Sequence, residues 1–319
     1  MPNFNGVWSL TTQAQYASDW PSPPTIGLLA AGSGTITNID QINILSLGNA
    51  TDFGDMTISR GGGAASGIAS STRGIFAGGY DGNASAKTNV IEYVTFAAAG
   101  NASDFGDLTV ARQMPGGASN STRGVIATGG PASGYTNVID YITIASTGNA
   151  TDFGDVTESR DGPGGVSSST RGVFAGGYRD PDPRTSNTID YITIASTGNA
   201  SDFGDLTVGR YYNGGGISSG TRGIFQGGGD GSFNGINVID YITIASTGNA
   251  TDFGDLLTAK YGVGGTSDSV FGVMAGGSSD SNVIQYITIA STGDAADFGD
   301  LITGSTYTAG CSPGHGGLQ

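Results

Sequence analysis

Short runs of apolar and β-branched residues alternate with glycine-rich turns along the whole chain, and they predict strands. In Asn237–Ala245, the run NVIDYITIA contains Val, Ile, Tyr and Thr, residues that suit a pleated and packed surface. We assign this run to strand c of a repeating unit, with strand a near Gly215–Ser219, strand b over Arg171–Gly177 and strand d over Phe203–Arg210. No segment carries apolar residues at helical spacing for long enough to form a core helix. The pattern predicts an all-β fold.

The same pattern returns at a period near 50 residues. The tetrad Asp-Phe-Gly-Asp occurs six times, and successive copies start 52, 48, 50, 50 and 45 residues apart. The six copies begin at Asp52, Asp104, Asp152, Asp202, Asp252 and Asp297. Several short strands in each unit of this length are typical of β-propeller blades. We therefore predict a six-bladed β-propeller with four-stranded antiparallel blades over residues 25–312.

The two ends of the repeat region predict a closed ring. The chain enters the pattern at strand b, because Ile26–Gly32 matches that strand, and so the first blade lacks strand a. Near the other end, Tyr307–Ser312 falls in a segment that matches strand a. If this segment completes the first blade, no strand edge is left exposed. Residues 1–24 then form an N-terminal arm, and residues 313–319 form a C-terminal tail.

Length variation between the units is concentrated in one loop. The b–c loop has 9, 6, 9, 8 and 4 residues in successive units, and the rest of each repeat is nearly constant. The d–a connection varies in sequence, whereas the a–b turn and the c–d loop are almost copied. In a four-stranded meander, b–c and d–a connections share one face of the disc, here named the variable face. The a–b and c–d connections share the other, the constant face.

Variable loops on a rigid scaffold are where binding usually resides, so we expect the variable face to bind. Neutral drift of the loops is the alternative. The aromatic residues that we predict for this binding surface are Tyr80, Tyr135, Tyr178, Tyr211, Tyr212, Phe233 and Tyr261. Large rings can anchor a protein contact or stack on sugars. The N-terminal arm holds both tryptophans, Trp8 and Trp20, for which we predict docking on a partner, with packing on the ring's own edge as the alternative.

Catalytic chemistry has few candidate residues. The chain has one histidine, His315, one cysteine, Cys311, and two glutamates, Glu92 and Glu158. The aspartates recur at equivalent places in the repeats, which is typical of a scaffold. We predict no enzymatic activity, no cofactor and no metal. A carbohydrate-active propeller enzyme is an alternative, because glycoside hydrolysis needs only two opposed carboxylates.

Two recurrent polar features are interpreted as structural. In the GNATD loops, we expect Asn and Asp side chains to cap backbone N–H groups rather than to bind calcium. Arginines precede strand b in four units, and we expect them to pair with aspartates of the c–d loops. These arginines are Arg73, Arg123, Arg171 and Arg222.

Charge and hydropathy exclude several classes of partner. The formal net charge is −15, with 12 Lys and Arg against 27 Asp and Glu. Such a surface repels phosphates and anionic lipids, so we expect no nucleic-acid partner and no membrane insertion. No segment reaches the roughly 20 apolar residues of a membrane span. The opening MPNFNGVWSL lacks the basic and long apolar regions of a signal peptide, and we expect synthesis in the cytoplasm.

The strand ending in a double glycine, as at Gly176 and Gly177, and the following strand with its Tyr191 resemble kelch repeats, with Phe where kelch has Trp. Units of the NVIDYITIASTGNATDFGD type, with GVWSLTTQAQY near the start and CSPGHGGL near the end, look like virion and tail-fibre-like proteins of marine tailed phages, including cyanophages. The resemblance covers almost the whole chain.

This resemblance implies a structural protein of the phage virion, present in multiple copies and made in the host cytoplasm. It implies attachment to other virion proteins through the N-terminal arm, and loops that face a host-surface glycan or protein. A purely architectural role in capsid decoration or tail assembly is the alternative.

Overall fold

The computed structural model describes residues 26–63, 67–180, 183–212 and 215–318, and it is an all-β ring of six blades. Five blades are four-stranded antiparallel sheets whose strands follow the order a-b-c-d. In the second blade, strands b, c and d form the sheet. In the place of strand a, Ala69 forms a single antiparallel backbone bridge with Gly74 of strand b. The predicted fold is confirmed.

The strands fall close to the predicted boundaries. Blade 1 contains β1 (Ile26–Ala30), β2 (Asn38–Asn43) and β3 (Thr51–Asp55), and blade 2 contains β4 (Arg73–Ala77), the loop hairpin β5 (Tyr80–Asp81) and β6 (Ala86–Lys87), then β7 (Val90–Thr95) and β8 (Ser103–Asp107). Blade 3 contains β9 (Gly116–Ser119), β10 (Arg123–Gly129), β11 (Thr136–Thr143) and β12 (Thr151–Asp155), and blade 4 contains β13 (Gly164–Ser167), β14 (Arg171–Ala175), β15 (Ser186–Thr193) and β16 (Ser201–Arg210). Blade 5 contains β17 (Ile217–Ser218), β18 (Arg222–Gln226), β19 (Ile236–Thr243) and β20 (Thr251–Lys260), and blade 6 contains β21 (Val263–Ser267), β22 (Phe271–Gly276), β23 (Val283–Thr288) and β24 (Ala296–Asp300).

The ring closes through the C-terminal strand β25 (Ala309–Cys311), which is strand a of blade 1. It pairs antiparallel with β1, with Leu28 opposite Cys311 and Ala30 opposite Ala309. Cys311 is a free, buried thiol. The predicted donation of a strand to the first blade is confirmed, and the exposed edge of β1 is thereby removed.

The hydrophobic core lies between the blades. In one cluster, Ile75 and Phe105 of blade 2 pack with Ile126 and Ile142 of blade 3, and all four side chains are at most 3% exposed. Phe105 is the Phe of an Asp-Phe-Gly-Asp tetrad. The recurrence of that tetrad therefore reflects one packing site that every blade repeats.

The glycine and the final aspartate of the tetrad join each blade to the next. A Cβ on Gly54 would overlap the carbonyl of Gly100 in the neighbouring blade, so a side chain is excluded there. The N–H of Asp55 donates to Oδ1 of Asn101, at 3.1 Å. The other five junctions repeat this cap through Asn149, Asn199, Asn249, Asp294 and Asn49. The predicted capping role of the GNATD loops is confirmed, and its partner lies in the adjacent blade.

The arginines that open strand b also bridge blades, but their partners differ from the expected ones. The guanidinium of Arg123 lies 4.4 Å from the ring centroid of Tyr141 and donates to the carbonyl oxygen of Ile194 in the next blade, at 2.9 Å. Arg73, Arg171 and Arg222 make the same pair of contacts. A tyrosine ring and a carbonyl take the place of the predicted aspartates.

A second set of arginines, at the end of strand d, forms buried ion pairs that the sequence analysis did not identify. At the junction of blades 2 and 3, Arg112 Nη2 lies 3.0 Å from Asp140 Oδ2, and both side chains are fully buried. Equivalent buried pairs join Arg60 to Glu92, Arg160 to Asp190 and Arg210 to Asp240. Each pair connects strand d of one blade to strand c of the next.

The junction of blades 6 and 1 has a carboxyl group but no arginine. Asp40 accepts a hydrogen bond from the N–H of Ile302, at 2.9 Å, while its other oxygen has no hydrogen-bond partner. Ser305 stands where the other junctions carry Arg or Lys. Burial raises the pKa of Asp40.

The described part of the C-terminal tail, residues 313–318, packs against the inner strands at the constant face. His315 is 2% exposed, and its Nε2 lies 3.2 Å from Ser119 Oγ. A Cβ on Gly316 would overlap the carbonyl of Ser219, which explains the glycine at this position. Burial lowers the pKa of His315 to about 4. Within the described ranges, no helix has the length and apolar character needed to cross a membrane.

Candidate binding surface on the variable face

The d–a connections and the b–c loops are held side by side by backbone pairing. Asp161, in a d–a connection, forms a bridge with Tyr178, at the start of a b–c loop, and Tyr211 forms the equivalent bridge with Gly229. Both variable segments therefore lie on the same face of the ring, as the strand order requires.

Six of the seven predicted aromatic residues lie together on this face. The ring centroid of Tyr178 is 5.5 Å from that of Tyr135 and 5.7 Å from that of Tyr211. Tyr211 is in turn 4.5 Å from Tyr212, 5.4 Å from Phe233 and 6.2 Å from Tyr261. These contacts connect loops from blades 3 to 6.

A seventh ring, Tyr307, belongs to the same group and was not predicted. Its centroid is 5.5 Å from Tyr212 and 6.1 Å from Tyr261. Tyr307 precedes β25, so it reaches the variable face only because that strand closes the ring. The sequence offered one signal for this position, because Tyr307 falls in the segment that matches strand a. We name Tyr135, Tyr178, Tyr211, Tyr212, Phe233, Tyr261 and Tyr307 the aromatic cluster.

Tyr80 lies apart from the aromatic cluster. It begins the β5–β6 hairpin of blade 2, where its backbone pairs with Lys87 and with Gly61. In the part of the chain that the structure describes, no ring contact joins Tyr80 to the cluster. Trp8 and Trp20, the predicted docking residues, lie outside the described residues.

Members of the cluster differ in what they can contact. Tyr211 is 1% exposed, and a Cβ on Gly229 would overlap its ring, so this side chain is packed inside the protein. Phe233 is 51% exposed at a loop tip. Its loop is held by Asp230 Oδ1, which accepts hydrogen bonds from the N–H groups of Ser232 and Asn234, at 2.8 and 2.9 Å. The other five rings are half-buried.

At the centre of this face, each blade junction has one residue with a left-handed backbone conformation. Around the ring, this residue is alternately a glycine and a large residue. The six residues and their φ values are Gly62 (72°), Met114 (53°), Gly162 (62°), Tyr212 (52°), Gly262 (66°) and Tyr307 (60°). Each large side chain lies over the glycine of the preceding blade. Met114 Cε is 3.4 Å from the position of a Cβ on Gly62, and Tyr307 Cδ1 is 2.9 Å from that on Gly262. A side chain on Gly162 or Gly262 would therefore displace the tyrosine ring above it, whereas a Cβ on Gly62 would only touch Met114.

These residues line a depression of about 50 Å³, open to solvent, at the centre of the variable face. Its walls include Met114, Tyr212 and Tyr307, and the alternating glycines contribute backbone surface. The aromatic cluster surrounds only part of this depression, because the blade 2 side carries Met114 and glycines.

A buried carboxyl group lies beside the cluster. Asp161 is 3% exposed, and its Oδ1 has no hydrogen-bond partner. Burial raises the pKa of Asp161 to about 7, and the Lys87 ammonium opposes this effect. Burial, with a smaller contribution from the charge of Asp161, raises the pKa of Tyr135 to about 12. Burial raises the pKa of Tyr212 as well, with Asp161 again the largest charge effect.

Candidate residues for catalysis are engaged in structural contacts. Glu92 accepts hydrogen bonds from Arg60, and Glu158 accepts them from Ser186 and Arg179. In the described ranges, no group of three His, Cys, Asp or Glu side chains is placed to hold a metal ion. Both glutamates therefore take part in ion pairs within the fold.

The sequence matches no model of a known protein family, and no curated protein matches it.

Proposed function

We propose that this chain is a non-enzymatic virion protein of a tailed phage, of the tail-fibre or appendage type, whose variable face binds a host-surface glycan or a protein. The observation that carries the proposal is the aromatic cluster. Tyr and Phe from four blades are brought together on the face where loop length and sequence vary, and one ring is left half exposed. Aromatic side chains of this kind anchor binding surfaces.

The contrast between the two faces supports this assignment. On the constant face, the repeated residues are used in blade-to-blade contacts, as in the pair formed by Arg123 with Tyr141 and Ile194. The folding requirements of the ring account for that repetition. The ring of Phe233 has no equivalent in the other blades, and that of Tyr178 recurs only at Tyr80, so the repeated scaffold does not require them.

The test uses the purified full chain on cells of the bacterium that the phage infects. Fluorescently labelled protein is expected to bind the cells saturably and to slow adsorption of the phage. Phe233→Ser removes an exposed ring without touching the core, and it is expected to weaken cell binding at least fivefold, within the range of a single aromatic anchor.

Leu47→Ser is the matched control, because Leu47 is 64% exposed but lies in a c–d loop on the constant face. Cell binding by this variant should equal that of the wild type. If the wild-type chain does not bind cells, or if the two variants lose binding equally, the variable face is not an adhesion surface. Release of sugars from host polysaccharide by the purified chain would contradict the non-enzymatic assignment.

A purely architectural role is favoured by a different observation. Leu45 and Leu47 are 49% and 64% exposed in the c–d loop of blade 1, where the other c–d loops carry Ala or Thr. Neighbouring apolar side chains on the constant face suit contact with another virion protein. Under this alternative, Leu45→Ser with Leu47→Ser lowers the amount of the protein in purified particles, while Phe233→Ser leaves both incorporation and adsorption unchanged.

A further inference from the structure

We infer that the depression at the centre of the variable face is a subsite for an ammonium group, carried by a lysine side chain of a protein or by an alkylamine substituent of a surface polymer. This inference rests on the proposed function of the variable face and specifies the chemistry of its ligand. The depression is the space of about 50 Å³ bordered by Met114, Tyr212 and Tyr307.

Two tyrosine rings form adjacent walls of this space. The planes of Tyr212 and Tyr307 are at 87° to each other, with centroids 5.5 Å apart. The electron-rich faces of aromatic rings attract cations, and sites that bind quaternary ammonium groups are built from such rings. The polarisable thioether of Met114 completes the wall on a third side.

A buried carboxyl group lies next to these walls, because Asp161 directly precedes Gly162 of the depression. Asp161 has an unpartnered oxygen, and its charge acts on the hydroxyl groups of both Tyr212 and Tyr307. Because the carboxyl group is shielded from water, its field reaches a cation on the rings without direct contact. Other titratable groups that face Asp161 are Tyr135 and Lys87. The Lys87 ammonium donates its hydrogen bond to the carbonyl of Pro131.

The cluster already holds a cation from the chain itself. The guanidinium of Arg184 lies 5.7 Å from the ring centroid of Phe233. The rings of Tyr212 and Tyr307 have no such partner among the described residues, although the charge of Asp161 acts on both. A net charge of −15 also favours the approach of cations over anions.

The ionisation of Asp161 allows a cationic ligand to be distinguished from a neutral one by the pH dependence of its affinity. The pKa of Asp161 is about 7, so the carboxyl group gains its charge between pH 6 and 8. A cation therefore binds more tightly as the pH rises through this range. A neutral sugar that stacks on the same rings does not need the charge, and its affinity should stay constant.

The experiment titrates the purified full chain with tetramethylammonium chloride and with choline at pH 6 and pH 8, at constant ionic strength, by calorimetry or by NMR of the tyrosine rings. Saturable binding is expected, several-fold tighter at pH 8. Asp161→Asn should weaken binding at pH 8 about tenfold and remove the pH dependence, in line with the size of a cation–π or buried-charge effect. Asp104→Asn, which removes an exposed charge on the constant face, should change nothing.

Ring variants provide a second measurement that does not depend on Asp161. Tyr307→Leu is expected to weaken binding about tenfold, whereas Tyr307→Phe keeps the ring and should keep most of the affinity. A lysine-containing peptide and choline should compete for one site, and the tighter of the two identifies whether the source is a protein or a polymer substituent.

The inference is overturned if no cation binds saturably at millimolar concentrations, or if Asp161→Asn and wild type bind equally at pH 8. Glucose that binds with equal affinity at both pH values, in the absence of cation binding, would assign the subsite to a neutral sugar instead. If cations fail to bind but Phe233→Ser still loses cell binding, only the ligand class is wrong. If cations bind and Phe233→Ser still binds cells normally, the proposed adhesion function is wrong while the subsite remains.

Discussion

Arg160 and Asp190 form an ion pair at the junction of blades 3 and 4, with Nη2 and Oδ2 separated by 2.7 Å and both side chains fully buried. The guanidinium also donates to the carbonyl oxygens of Phe174 and Thr188, both at 3.2 Å. Three junctions repeat this arrangement with other pairs. Each of these four junctions thus has a polar link that fixes the register of one blade against the next.

Breaking this pair from one side is expected to be costly, because the remaining charge stays buried. Arg160→Met should lower the free energy of unfolding by about 3–5 kcal/mol, whereas the double variant with Asp190→Leu should recover most of the loss. Chemical denaturation measures both. Arg179→Met is the control, because Arg179 pairs with Glu158 near the surface and should cost about 1 kcal/mol or less. Equal effects of Arg160→Met and Arg179→Met would show that the buried pair is dispensable.

The closing strand provides a second prediction. A Cβ on Gly310 would overlap the carbonyl of Gly265 in the neighbouring blade, so Gly310→Val should prevent β25 from seating. The melting temperature should fall, and hydrogen exchange should increase first in β1, which loses its partner. Gly231→Val, in a loop with no atom within 4 Å of the new Cβ, serves as the matched control. Unchanged exchange in β1 would contradict closure through β25.

The architecture could be predicted from the sequence because the repeat encodes it. The period, the tetrad and the match of residues 306–312 to strand a are all local patterns, and the strand order then places the variable loops on one face. The buried ion pairs were missed because Arg160 and Asp190 are 30 residues apart, and nothing in the sequence marks them as neighbours. Tyr307 was missed for the same reason, since it joins the cluster only through ring closure.

The roles of individual aromatic residues also required the structure. Tyr211 and Tyr212 are adjacent in sequence, yet Tyr211 is buried against Gly229 while Tyr212 lines the depression. Sequence pattern alone treats them alike. For the same reason, Asp161 could not be distinguished from the exposed aspartates that recur in the tetrads.

Asp161 should make the stability of the protein depend on pH. Its pKa is about 7 in the folded state and near 3.8 in the unfolded chain, so the folded state binds the proton more tightly. Its contribution is therefore most favourable below pH 4 and is lost as the pH rises to about 7. Asp161→Asn removes this loss. The melting temperature of the variant minus that of the wild type should therefore become more positive from pH 5 to pH 8. A constant difference across this range would contradict the burial of an isolated carboxyl group.

His315 should make the stability of the protein depend on pH under acidic conditions. Its pKa is about 4 in the folded state, below the ordinary value of 6.5, so the unfolded chain binds the proton more tightly. The stability that depends on neutral His315 is present above pH 6.5 and is lost as the pH falls to about 4. The melting temperature of His315→Gln should depend less on pH between 6.5 and 4 than that of the wild type. An unchanged pH dependence would show that His315 is not held neutral in the tail.

The central claim, that the variable face is the binding face, is tested most directly by hydrogen-exchange footprinting of the full chain bound to host-surface extract. The account predicts slower exchange in the b–c loops 178–186 and 229–236 and in the d–a connection at Tyr211 and Tyr212. The c–d loops at 145–150 and 195–200 should exchange as they do in the free protein. Protection of the c–d loops, with unchanged exchange at 229–236, would contradict the account.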